Sequence, residues 1–78
     1  MNLGDYFGAA VRKHRELLRL SQEELAERAR MDRTYVSGVE RGVRNPSLEV
    51  MQRLAVALGS DLDVIFATAR ELGSKQEA

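Results

Sequence analysis

The sequence predicts an all-α protein, a compact five-helix bundle, and three observations carry that reading. Apolar residues recur at helical spacing along most of the chain. The 78 residues hold a single Pro, and Leu, Ala and Arg are abundant. Residues that start or stop helices fall between the periodic stretches.

The first helix is expected from about Asp5 to Leu18. Phe7, Val11, His14 and Leu18 form its apolar stripe, widened by Ala10 and Leu17. Ser21 and Glu24 spell a capping box, so a short second helix runs from Gln22 to about Ala29 and buries Leu25, Ala26 and Ala29. Arg30 and Met31 connect it to a third helix, from Arg33 to about Arg41, with Asp32 as N-cap and Gly42 as C-cap. Val36 and Val39 turn inward there. Pro46 disfavours the helical region at Asn45, which keeps residues 43–46 as loop. Ser47 caps a fourth helix with Leu48, Met51, Leu54, Ala55 and Leu58 on one face, and Gly59 ends it. Ser60 or Asp61 opens a fifth, in which Leu62, Ile65, Phe66, Ala69 and Leu72 keep helical spacing. The polar tail from Gly73 to Ala78 is expected to fray. Residues 1–78 are thus one domain with an ordered core of about 5–72.

A chain this short buries only about 60% of its unfolded surface, so self-association is a reasonable expectation. With no Cys there is neither a disulfide framework nor a thiolate site. The apolar run from Phe7 to Val11 is too short for a secretory leader or a membrane span, which predicts a cytoplasmic protein.

The net charge is zero, but the charges are patterned. Arg12, Lys13, Arg15 and Arg19 stand against Glu16 alone. Glu23, Glu24 and Glu27 follow as an acidic stretch. Residues 28–45 then carry five Arg against Asp32 and Glu40. Two basic islands flank an acidic one.

Catalysis has little to work with. One His, no Cys and no glycine-rich phosphate loop leave no nucleophile–base pair to assemble, so no enzyme is expected. His14 reads as a packed helix residue, because a lone histidine lacks the partners catalysis requires. The three glutamates lie on a helix surface without converging ligands, so neither a metal nor a cofactor is expected.

The informative element is the helix pair from Gln22 to Arg41. Two short helices joined by about three residues make a helix-turn-helix pattern. Ala26 is small where the pair must approach closely. Opposite Val36 and Val39, the third helix turns outward Thr34, Ser37, Gly38 and Arg41, flanked by Arg33 and Tyr35. That face holds donors, a methyl group and an aromatic ring but no acid, which suits a reader of the DNA major groove. Gly38 on an exposed helix face costs about 1 kcal/mol relative to Ala, and close approach to another surface would explain it.

Three stretches carry a resemblance: Ser21-Gln22-Glu23-Glu24-Leu25-Ala26, then residues 32–42, then Arg44-Asn45-Pro46-Ser47-Leu48. Together they resemble the lambda-repressor-like (Cro-type) helix-turn-helix family over about residues 5–72. The run from Asp32 to Arg41 and the short length are most similar to controller proteins of restriction–modification systems. Antitoxins and phage-repressor-type regulators that act partly through protein contacts share these motifs. The resemblance implies a sequence-specific transcription regulator that binds a palindromic operator in double-stranded DNA as a homodimer. By position, Gln22 matches a phosphate-contacting glutamine; Arg33, Thr34 and Ser37 match recognition positions. Tyr35, Arg44 and Asn45 match positions that touch backbone or groove edges, and Arg41 shares the outward face. Arg15 matches an arginine that pairs with the inward-facing Glu40. Glu23 and Glu27 match acids through which activators touch the sigma subunit of RNA polymerase. Arg30 departs from the pattern, standing where the family often has Gly or Asn in a left-handed turn. The dimer contact is expected on the fifth helix, at Leu62, Ile65, Phe66 and Ala69, because that helix has more apolar surface than one edge of a small fold requires.

Overall fold

A computed structural model describes residues 3–77, which form five helices: α1 (Leu3–Leu17), α2 (Gln22–Ala29), α3 (Arg33–Glu40), α4 (Leu48–Ala57) and α5 (Leu62–Glu77). No strand occurs among the described residues. Each short helix is fixed by its ends. Ser21 and Glu24 close the capping box at α2, with Glu24 N–H donating to Ser21 Oγ at 3.0 Å and Ser21 N–H to Glu24 Oε1 at 2.9 Å. The Ser47 hydroxyl accepts from Val50 N–H at the start of α4. Gly42 and Gly59 follow α3 and α4 with φ of 77° and 66°, the left-handed region that Gly enters without steric cost.

Asp32 differs from expectation: it stands at the N-cap of α3, but its side chain makes no capping bond. The connection α2–α3 therefore relies on its backbone and on contacts from elsewhere.

The core is gathered from every helix. Phe7 and Val11 of α1, Leu25 of α2, Val36 and Val39 of α3, Leu54 of α4 and Ile65 of α5 are fully buried. Burying each such side chain contributes about 1.5–3 kcal/mol. Helices α1 and α5 pack along one another, with the Phe7 and Phe66 rings tilted at a centroid distance of 5.6 Å. His14 is half-buried in the same seam, its Nε2 2.9 Å from Thr68 Oγ1. The Thr68 hydroxyl donates to the Val64 carbonyl, so the His14 Nε2–H tautomer is the one that donates to Thr68. On its other side α1 meets α3 at Gly8, where an added Cβ would stand 1.9 Å from the Val39 carbonyl oxygen.

The apolar stripes are shorter than periodicity suggests. Leu17 is 71% exposed and Leu18 is exposed as well, because Arg19 reverses the chain with φ of 58° and Leu20 takes the buried place. Leu48, at the first position of α4, is 69% exposed and points away from the face that Leu54, Ala55 and Leu58 bury. The tail does not fray at Gly73. Helix α5 continues to Glu77, with Leu72 against the core, Gly73 buried and Lys75 3.7 Å from Glu71 one turn back. Ala78 lies outside the described residues.

Candidate nucleic-acid interface

Helix α2 is amphipathic in the simplest way, with Leu25, Ala26 and Ala29 inward and its acids outward. Its C-terminus closes as a Schellman motif: Met31 N–H donates to the Ala26 carbonyl at 2.9 Å and Arg30 N–H to the Glu27 carbonyl at 3.2 Å. That motif normally takes Gly at the left-handed position. Here Arg30 adopts it, with φ 57° and ψ 53°, at a cost of about 1–2 kcal/mol.

Helix α3 follows after residues 30–32. Its inner face is Val36, Val39 and Glu40, and Gly38 on the other side is buried as well. Glu40 accepts from Arg15 Nε at 2.7 Å, from Arg15 Nη2 at 3.0 Å and from Gln22 Nε2 at 3.0 Å. Arg15 Nη1 donates to the Leu20 carbonyl at 2.8 Å. The Glu40 side chain is only 2% exposed, yet both its oxygens are satisfied by charge-assisted or amide donors. The hydrogen bond to Glu40 raises the Arg15 pKa above its ordinary value, against the opposing cost of burial. One carboxylate thus ties α1, α2 and α3 together.

This geometry changes the place of two expected residues. Gln22 is half-buried and turned inward to Glu40, so one of its amide hydrogens is already committed and only the remainder of the side chain is left for a phosphate. Gly38 is buried rather than outward-facing. A Cβ there would lie 2.5 Å from Arg44 Cγ, and its carbonyl accepts from both Val43 and Arg44 N–H groups. The surface that requires glycine is the chain's own Arg44, folded across α3 with its guanidinium 5.8 Å from the Tyr35 ring centroid.

What remains exposed is a coherent face. Arg33, Thr34, Arg41, Arg44 and Asn45 are exposed, while Tyr35 and Ser37 are half-buried beside them. The single acid between residues 33 and 45 is Glu40, buried and neutralised from inside by Arg15. A chain of zero net charge therefore presents three arginines here with no exposed acid among them. On α2, Glu23 and Glu27 are exposed four residues apart. Glu24 is committed to the cap, whose backbone and hydroxyl hydrogen bonds from Ser21 hold its carboxyl below the usual range. The contribution of that cap is therefore present above the ordinary carboxylate pKa and fades as pH falls through the lowered one.

Helix α5 corrects the expected dimer set. Ile65 and Ala69 are fully buried in the core of this chain, so neither has side-chain surface to share with a second copy. Leu62, Phe66 and Leu72 are half-buried while Val64 and Ala67 are exposed, so these carry the apolar surface of the helix. Among the described residues no group of three His, Cys, Asp or Glu converges as metal ligands. No helix there is long and apolar enough to cross a membrane.

Comparison with known proteins meets this geometry directly. A helix-turn-helix family model matches residues 11–65. The chain belongs to the helix-turn-helix family of the lambda-repressor type. The control protein C.BamHI of Bacillus amyloliquefaciens is 42% identical over 59 residues, covering 74% of this chain and 73% of its own. The crystal structure of the restriction–modification controller protein C.AhdI from Aeromonas hydrophila superposes with a TM-score of 0.76 at 44% identity, over 78% of this chain and 92% of its own. The controller protein C.Esp1396I, solved as a tetramer with its natural 35 base-pair operator, gives a TM-score of 0.84 at 28% identity, over 91% of this chain and 93% of its own. Two uncharacterized HTH-type transcriptional regulators of Mycobacterium tuberculosis are 39% identical over 62 residues, 80% of this chain, which spans 44% of their length.

In this helix-turn-helix protein, breaking the buried pair from one side should be costly, at about 3–5 kcal/mol. Glu40→Ala is therefore expected to lower the thermal midpoint well below that of Glu27→Ala, an exposed acid in the last turn of α2. Equal midpoints for the two variants would contradict the role given to Glu40.

Proposed function

We propose that this protein regulates transcription by binding a palindromic operator as a homodimer, in the manner of the restriction–modification controller proteins it resembles. The observation that carries the reading is the outward face of α3. It is exposed, it bears three arginines counting Arg44 folded over it, and its one acid is withdrawn into the core. Arg33 and Thr34 stand in the first turn of α3. Arg33 has the planar fork that donates twice to guanine O6 and N7, and the Thr34 methyl fits beside a thymine methyl. Ser37, Arg41, Arg44, Asn45 and Tyr35 supply contacts that set register along the backbone, with the free part of Gln22 at the start of α2. The similar proteins are regulators and control proteins by name.

Two copies are needed for a palindrome. Leu62 and Phe66, one turn apart on the same side of α5, offer the self-complementary patch, which would set the half-sites about one helical turn, ~34 Å, apart. Glu23 and Glu27 have a different use. They lie beside the DNA-facing helix, where phosphates penalise them, and neither is engaged by a partner among the described residues. Contact with the basic surface of the polymerase sigma subunit gives them a reason to be there.

Operator binding is tested with duplexes selected by the protein from a random palindromic library, with sedimentation giving two chains per duplex. Arg33→Ala is expected to cost about 1–3 kcal/mol and to relax preference at one base pair in each half-site. Arg44→Ala should weaken binding to all sequences alike. An unchanged preferred sequence in Arg33→Ala would remove α3 from the role of reader. For the acids, Glu23→Ala with Glu27→Ala should abolish activation of a reporter while leaving operator affinity intact. Full activation by that double variant would leave the two glutamates as a solvated helix face.

A further inference from the structure

Arg53 lies in the middle of α4, and nothing in the sequence sets it apart. Its guanidinium reaches across to the end of α2. Nε and Nη2 donate to the Ala29 carbonyl at 3.1 and 2.7 Å, and Nη2 also donates to the carbonyl of Arg30. Ala29 is the last residue of α2, and Arg30 is the left-handed residue of the turn. The backbone position that works against its own side chain is thus held from outside, by a cation from another helix. A positive charge at a helix C-terminus also complements the macrodipole.

The consequence lies four residues on. Only residues 30–32 separate α2 from α3, so the crossing angle of the pair depends on their dihedrals. Val36 and Val39 anchor α3 in the core, whereas Arg33 and Thr34 are exposed in its first turn, next to the connection. Asp32 gives that turn no side-chain cap. Beside it, Met31, Asp32, Tyr35, Val50 and Arg53 line an open surface groove of about 310 Å³. We propose that Arg53 is a positioning residue for operator recognition: it clamps the turn in its left-handed form and thereby aims Arg33 and Thr34. The proposal rests on the reading of α3 as the DNA-facing helix. A lysine cannot replace the clamp in full, because one ammonium lacks the rigid Nε and Nη2 pair that converges on the Ala29 carbonyl.

The test compares Arg53→Met, Arg53→Lys, Arg30→Gly and the double variant Arg30→Gly with Arg53→Met. Each is titrated with the duplex selected by the wild type and with a scrambled duplex of equal length, and backbone amide exchange is followed in parallel. Arg53→Met should lose about tenfold in preference for the selected duplex, the scale of one base contact, with binding to the scrambled duplex unchanged. Arg53→Lys should recover part of it. The Arg30 and Met31 amides should exchange faster in Arg53→Met while those of α1 and α5 stay protected. The double variant should regain most of the preference, since Gly adopts the left-handed turn unaided. Undiminished preference in Arg53→Met overturns the proposal, and so does a double variant as defective as Arg53→Met, which would reduce Arg53 to general support. A wild type without sequence preference would overturn the DNA reading of α3 and the aiming role with it. The exchange rates would then still decide whether the clamp itself exists.

Discussion

A carboxylate removed from water must be matched group for group, and the fold around Glu40 is organised by that requirement. Its two oxygens take three donors, two from Arg15 of α1 and one from Gln22 of α2, while Arg15 spends its remaining nitrogen on the Leu20 carbonyl in the turn between them. No buried side-chain nitrogen or oxygen among the described residues is left without a partner. Three helices and a turn therefore converge on the last residue of α3. Hydrophobic packing of Val36 and Val39 would allow α3 to rotate or slide over the core. A bidentate arginine and an amide directed at one carboxylate permit a single arrangement. A further restraint comes from Gly8, where the α1 backbone approaches the α3 carbonyls too closely for any side chain.

The same network resolves the paradox of a neutral protein offering itself to a polyanion. The one acid within residues 33–45 is turned inside, where Arg15 compensates it, so the arginines around it face outward with exposed acids only at the margins, Asp32 before α3 and Asp5 beside Gly42. The acids that balance the total sit outside residues 33–45, on the other four helices and in the connections at Asp32 and Asp61. Charge is thus separated by burial rather than by composition, and the net value conceals it.

Much of the fold was legible because it is local. Ser21 and Glu24, Ser47, Gly42 and Gly59 each act within a few residues of themselves, and α2 begins and ends at the residues their pattern marks. The meeting of Arg15 and Glu40 has no local signature. Resemblance alone pointed to it, since the two residues are 25 positions apart. What was misread depended on tertiary surroundings. Periodicity marks Leu17, Leu18 and Leu48 as apolar but not whether a neighbour covers them. Gly38 looked outward on a helical wheel because the wheel omits Arg44, which the loop returns across it. The spacing of Ile65 and Ala69 marks them as apolar but not which core they serve, and a chain this small needs them for its own. Arg53 was invisible, its partners being carbonyls, which every residue has.

The claim on which the rest turns is that Arg15 and Glu40 act as one unit to fix α3. A double-mutant cycle in urea tests it, using Arg15→Met, Glu40→Met and the two together. Each single change leaves a buried charge without its counterpart, whereas the double change removes both and leaves an apolar contact of similar size. The account predicts strong non-additivity, with the double variant more stable than the sum of the single losses by at least about 2 kcal/mol. Additive losses would contradict it, and would mean that α3 is held by its valines alone.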